Sequence, residues 1–475
     1  MAYREGERYQ LQLFPQSIDE YVSVEDPVRA YDAFVEHLDP SELGMILDKH
    51  QVGPPAYDPK AMLKLLVYGC AYGIRSSRKL ERATHHNLSF IWLMGELKPD
   101  HKTIARFRRD NRDVLKNVLK QCVRFCMKMG LIQGNTLFVD GTKIRGNAAI
   151  HETWTKKRCA KALARSDKQI EALLQECEST DAEESRGASL VKLEGKLKSR
   201  EELKAKIEGV LESLKVQGKE SINLTDPDCV KVKGRQGTHA GYNGQIVVDE
   251  KHGFIVNSDV VAESNDQRQF SSQIEQANEV LGQPCETACG DAGYSSTEEL
   301  KRIEDQGITV VVPSQRQAHD LPPKPFNKSV FEYDSEGDSY ICPEGHQLRP
   351  VFSDLDRGHR IYQISKPSLC LSCPHYGVCT KSKQGRRIRR LKNEVFKIAL
   401  EARYKQPWSQ GIYSLRKQRV EHPFGHIKRN LGVQAFLLRG LQGVKAEMSL
   451  FASCFNMVRM INLMGVSTLV ARLTS

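Results

Sequence analysis

Two short apolar runs, each giving way to an aspartate and a glycine, constrain this fold more than any other feature. Leu137-Phe138-Val139 is preceded by Gly134-Asn135 and followed by Asp140-Gly141, the pattern of a buried strand that ends in a turn. Its carboxylate is therefore expected at a strand end. Thr287-Ala288-Cys289 gives way in the same manner to Gly290-Asp291, and Ser295-Ser296-Thr297-Glu298-Glu299-Leu300 beyond it reads as a serine-capped helix start with acids in its first turn. Local structure requires an acid at neither place. If the two ends lie side by side in one sheet, their carboxylates repel unless cations sit between them, so the pattern points to bound divalent metal. Glu421, in Val420-Glu421-His422-Pro423-Phe424-Gly425-His426-Ile427-Lys428, could complete such a site from a helix.

Strand signals recur between the two aspartates. Residues 244–249 and 254–261 alternate as a hairpin about His252-Gly253, and 308–312 form a further apolar strand. A helix over 267–281, capped by Asn265 or Asp266, joins the hairpin to the strand before Asp291. Asp249, Asp259 and Asp266 compete for a metal, but each stands where a turn or cap residue is ordinary. Residues 155–214, rich in Lys, Glu, Ala and Leu, read as an inserted helical hairpin with its break between Glu178 and Gly187. On the final helix Glu421 and Lys428 are nearly two turns apart and share a face, with Gly425 between them leaving it open to a substrate backbone. Pro423 predicts that this helix begins near Glu421 or kinks there.

The first 132 residues carry helix signals only. Pro59-Lys60-Ala61-Met62-Leu63-Lys64-Leu65-Leu66-Val67-Tyr68-Gly69-Cys70 has the density of a buried helix ended by Gly73, and Ser76 caps a second. After a cap at Asp100, a third helix starts at Thr103 and extends toward Met129. Lys102, Arg106, Arg108 and Arg109 crowd its start. Short helices with a basic third member predict a helix-turn-helix-like DNA binder, although a solvated basic face gives the same pattern.

A second insertion, about 316–395, holds Cys342-Pro343-Glu344-Gly345-His346, then Cys370-Leu371-Ser372-Cys373 and Cys379. The four thiols could enclose a structural zinc ion, with His346 competing for a place because Cys342 stands alone on its arm, or could pack a small core as free thiols. Lys381-Ser382-Lys383-Gln384-Gly385-Arg386-Arg387-Ile388-Arg389-Arg390-Leu391-Lys392 follows, the densest basic run in the chain and a candidate for phosphate contact. The net charge of +11 over 475 residues agrees with a polyanionic partner. Thirteen cysteines without an export signal argue for reduced thiols or metal ligands, and no uncharged apolar run is long enough to span a membrane, so a cytoplasmic, nucleoid-associated protein is expected.

Phe138-Val139-Asp140-Gly141-Thr142-Lys143-Ile144, Gly290-Asp291-Ala292-Gly293-Tyr294 and the Tyr413, Arg416, Glu421, Lys428 segment together resemble the DDE transposases of bacterial insertion sequences. The resemblance spans nearly the whole chain, including Pro99-Asp100-His101-Lys102-Thr103-Ile104-Ala105-Arg106-Phe107-Arg108-Arg109. It implies an α/β fold: an RNase H-like mixed sheet with helical insertions, over 133–475, preceded by an all-α DNA-binding domain over 1–132. The insertions then fall at about 150–222 and 316–395. It further implies that Asp140, Asp291 and Glu421 hold two Mg²⁺ or Mn²⁺ ions for cleavage and strand transfer, on double-stranded element ends and target DNA paired by a homodimer. Lys428 and Tyr413 belong to the family's third-acid signature, which spaces Arg and Glu by three residues. Here four separate Arg416 from Glu421, so Lys417 or Arg419 can fill the basic role, and Lys143 and Arg145 are placed to touch DNA. A nuclease without joining activity, or a repressor that has lost its chemistry, would share most of these features.

Overall fold

The computed structural model describes residues 17–45, 56–181, 187–234, 237–322, 324–354 and 358–475. Packing divides the chain into Met1–Ile132, Gly141–Ser264 and Val420–Ser475 in one compact unit, and Gln133–Asp140 with Asn265–Arg419 in another. The first segment ends at Ile132 but packs into one unit with Gly141–Ser264 and Val420–Ser475. The physical reason is the apolar helix Leu441–Met464, which packs against the N-terminal helices Pro59–Ala71 and Arg112–Lys128. Its contacts are close: Cys126 Sγ meets Met460 Sδ at 3.5 Å, and Cys454 Sγ donates to the Val67 carbonyl at 3.4 Å. Among the described residues no single helix is long and apolar enough to cross a membrane.

In the first unit the helix ends follow local chemistry. Asp58 caps Pro59–Ala71 by accepting from the Lys60 amide, and Gly73, at φ +70°, reverses the chain in a conformation that costs glycine little. Asp100 accepts from the Thr103 amide at 2.7 Å, as expected of a cap. The helix expected to run on from there is two helices, His101–Asp110 and Arg112–Lys128, broken at Asn111, whose side chain bonds back to the Phe107 carbonyl. Competition of an asparagine side chain for backbone groups accounts for the break.

Strand β1 spans Thr136–Arg145. Beyond it, β2 (Thr153–Thr155) and β3 (Ser221–Asn223) pair at the base of the helical hairpin Lys156–Asp181 and Gly187–Val216, which has its own core of Cys159, Ile207, Val210, Leu214 and Ile222. The expected break at 178–187 lies partly outside the described residues. β4 (Val230–Gly234), β5 (Gly237–Asp249) and β6 (Ile255–Val261) follow as antiparallel neighbours, and Gly253 at φ +67° turns β5 into β6. Gly241 on β5 lies so close to β1 that a Cβ there would meet the Ile144 carbonyl at 2.4 Å.

In the second unit the first residues of β1 pair in parallel with β7 (Thr287–Cys289), and β7 pairs in parallel with β8 (Thr309–Val311). Parallel strands need crossovers, here the helices Phe270–Leu281 and Thr297–Glu304. The first begins later than expected, with Gln269 at its cap. Hydrogen bonding orders the strands β4-β5-β1-β7-β8, with β6 on β5. The cysteine-rich insertion is a separate antiparallel sheet of β9 (Glu332–Asp334), β10 (Ser339–Ile341), β11 (Gln347–Asp354), β12 (His359–Ile364) and β13 (Arg387–Leu391). Tyr340, Tyr362, Leu348, Ile364, Ile388 and Phe331 form its core.

Candidate active site

Asp140 does not end its strand. β1 continues through Gly141 to Arg145, because β5 supplies an edge that keeps the chain extended beyond the point where β7 stops pairing. The register nevertheless brings the two aspartates level. Phe138 pairs with Cys289, and each aspartate lies two residues further on, so the alternation of side chains puts both on one face. Asp291 then caps a short helical turn, Ala292–Tyr294, by accepting from the Gly293 amide at 2.7 Å. A Cβ at Gly293 would meet that same carboxylate oxygen at 2.7 Å, which explains the glycine in Asp-Ala-Gly-Tyr.

Arg416 bridges the pair. Its Nη2 lies 3.1 Å from Asp140 Oδ1 and 3.6 Å from Asp291 Oδ2, and its side chain is only 8% exposed. Burial works against its charge, but the two carboxylates outweigh burial and raise the guanidinium above its ordinary value. The Tyr413 ring flanks the guanidinium at 5.8 Å and meets Tyr404 edge-on. Buried Tyr294 reports the local field: burial first, then Asp266, Asp140 and Asp291, push its hydroxyl well up. Asp266 thus lies close enough to the pair to act on the same hydroxyl.

The helix carrying Arg416 runs over Pro407–Arg429 and continues through Pro423, so it neither begins at Glu421 nor stops there. Glu421 follows Arg416 by five residues, is exposed, and belongs to the larger unit. Lys428, in that unit too, donates from Nζ to Thr142 Oγ1 at 2.5 Å. Thr142 escaped the sequence reading, although it stands in the same motif as Asp140. Lys417 is exposed; Arg419 and Lys143 are half-buried. The other acids have structural partners: Asp249 accepts from the Lys251 amide, Asp259 pairs with Lys445 at 2.8 Å, and buried Glu394 pairs with Lys328. Among the described residues no group of three or more His, Cys, Asp or Glu side chains is arranged to hold a metal ion.

The presumed recognition helix needs one correction. Arg108 is buried and donates to the Arg75 carbonyl at 2.8 Å, so it holds the helices together and is not available to DNA. Its spacing of four from buried Ile104 was the signal that it faces inward. Arg106 and Arg109 are exposed, the latter against Asp110 at 2.8 Å. The basic run is divided similarly. Arg386 donates to the Cys379 and Phe326 carbonyls and Arg390 lies 3.4 Å over the Tyr333 ring, while Lys381, Lys383, Arg387, Arg389 and Lys392 are exposed.

Cys342, Cys370, Cys373 and Cys379 line one pocket with His346, His375 and Glu344. Three backbone amides aim at three of the sulfurs, each at 3.4 Å: His346 to Cys342, His375 to Cys373, and Arg386 to Cys370. None of the four forms a disulfide.

A mixed sheet of this order, with paired carboxylates just past the pairing of β1 and β7, is RNase H-like. Two stretches of the chain match transposase families: residues 341–461 match the family model "Transposase DDE domain", and residues 16–110 match "Transposase domain (DUF772)". No curated protein matches the sequence. A solved structure, the cryo-EM structure of a piggyBac transposase synaptic complex with hairpin DNA, is 10% identical over 92% of this chain and 82% of that one, with a TM-score of 0.27. A superposition that loose carries no information on shared geometry.

Proposed function

We propose that the protein cuts the ends of its own mobile element and joins them to target DNA, with Asp140, Asp291 and Glu421 as the acidic triad. The observation that carries this reading is the Asp140–Arg416–Asp291 bridge: two carboxylates close on one cation accommodate a positive centre between them. Divalent ions, Mg²⁺ or Mn²⁺, bound by these acids would supply an activated water or DNA 3′-hydroxyl and stabilisation of the leaving oxygen in an in-line displacement at phosphorus. The chain's own residues position the DNA. Lys428, held by Thr142, presents an ammonium to the phosphate backbone, with Lys417 and Arg419 on the same helix. Arg106 and Arg109 contribute phosphate contacts from the N-terminal helices, and two chains would act on paired ends in the nucleoid.

Incubation of the protein with labelled element ends and a target plasmid tests the reading. Joined product is expected; cleavage without joining would identify a nuclease, and neither would identify a repressor. In the same preparation, Arg106→Ala with Arg109→Ala should flatten the salt dependence of end binding by about one unit of slope per lost contact.

For the four-thiol pocket we propose a structural zinc. The pocket provides four sulfur donors and three amides poised to favour thiolates, in thiol positions that do not yet form a closed tetrahedron. Elemental analysis should find about one zinc per chain, and chelation should loosen the β9–β13 sheet before the larger one. Folded, active protein without zinc would leave the thiols as packing residues.

A further inference from the structure

We infer that Arg416 is a resident counter-cation that occupies the divalent-ion position between Asp140 and Asp291 in DNA-free protein, so that metal loading waits on a phosphate that draws the guanidinium away. The inference rests on the reading of these aspartates as metal ligands and concerns when the ion enters.

The placement is a makeshift one for an arginine. A guanidinium pairs best with a carboxylate through two parallel bonds, whereas here a single nitrogen, Nη2, serves one oxygen from each of two aspartates, at 3.1 and 3.6 Å. Nε is buried without a hydrogen-bond partner. The planar fork is therefore poorly satisfied where it stands, and a phosphate that offered it paired oxygens would compete well. Asp266 adds its field at the same place, acting together with Asp140, Asp291 and Arg416 on the buried Tyr294 hydroxyl. Guanidinium and ion cannot share the gap. Whichever occupies it lowers the apparent affinity of the other in proportion to its own occupancy.

Mn²⁺ binding, followed by electron paramagnetic resonance with and without duplex DNA, reads this coupling without activity. Arg416→Gln should bind Mn²⁺ at least tenfold more tightly than wild type in the absence of DNA, and should lose most of the tightening that duplex brings to wild type. Lys405→Gln removes an exposed cation just before the same helix and should shift Mn²⁺ affinity less than twofold, which separates occupation of the gap from a general change in charge. Arg416→Lys, read alongside in case the glutamine variant does not fold, should bind severalfold more tightly than wild type. Equal Mn²⁺ affinity in wild type and the Arg416 variants, with binding still lost on Asp140→Asn, would overturn the inference and leave the metal reading standing. No Mn²⁺ bound by wild type even with duplex would overturn both.

Discussion

Asp140→Asn and Asp291→Asn should each reduce strand cleavage by at least a thousandfold while leaving binding of element ends within about twofold of wild type. Asparagine preserves size and removes the charge that holds a cation, so the loss falls on the chemical step. In the proposed reading end binding rests on exposed cations elsewhere, Arg106 and Arg109 among them, which neither substitution touches. Gel-based cleavage and mobility-shift assays on one preparation give both numbers. Cleavage within tenfold of wild type in either variant would remove that aspartate from the site. Glu421→Gln should match them; if it stays active while Glu401→Gln does not, the third acid lies on the preceding helix. Glu394 is excluded by its buried pairing with Lys328.

The largest effect on stability is expected at Glu447. This carboxylate is buried in the helix Leu441–Met464, accepts from the Leu437 and Leu438 amides at 2.7 and 3.1 Å, and lies 3.7 Å from Arg75. Buried Arg108 is drawn to it as well. Glu447→Ala leaves two amides without their acceptor and takes the paired charge from Arg75, a loss on the order of 3 to 5 kcal/mol. Burial, the largest influence on Glu447, raises its carboxyl above the usual 4.5 despite the arginines. A raised folded-state value contributes stability that is full below the unfolded value and is lost as pH rises through the folded one. The deficit of Glu447→Ala, measured by denaturant unfolding, should therefore be greater near pH ~5 than near pH ~8. A deficit below about 1 kcal/mol at both would show that Glu447 does not organise this core.

Much of the catalytic sheet was legible because its signals are local. Gly253, the apolar run 137–139 and the Thr287-Ala288-Cys289 strand announce their own conformations. Where β1 ends was not legible, because the extension past Gly141 depends on β5, almost a hundred residues away. The two aspartates could be named from their setting, but the cation between them could not: Arg416 comes from a helix whose phase Pro423 obscured. Arg108 illustrates the converse. Its basic neighbourhood suggested DNA, and only its spacing from Ile104 betrayed a core position. Asp266 lies in a polar stretch where caps are commonplace, and its bearing on Tyr294 is a property of the folded chain alone.

The packing of Leu441–Met464 against Pro59–Ala71 and Arg112–Lys128 bears on how such proteins can be recombined. The segment that carries Arg106 and Arg109 is not a detachable reader, since its apolar wall is supplied by the other end of the polypeptide. Grafting residues 1–132 of one relative onto the remainder of another brings together helix faces that were never selected to fit. If this segment reads element ends, as proposed, exchange of end specificity requires two distant stretches of gene to travel together, and lineages that swap only the first would inherit a mismatched interior before they gained a new address.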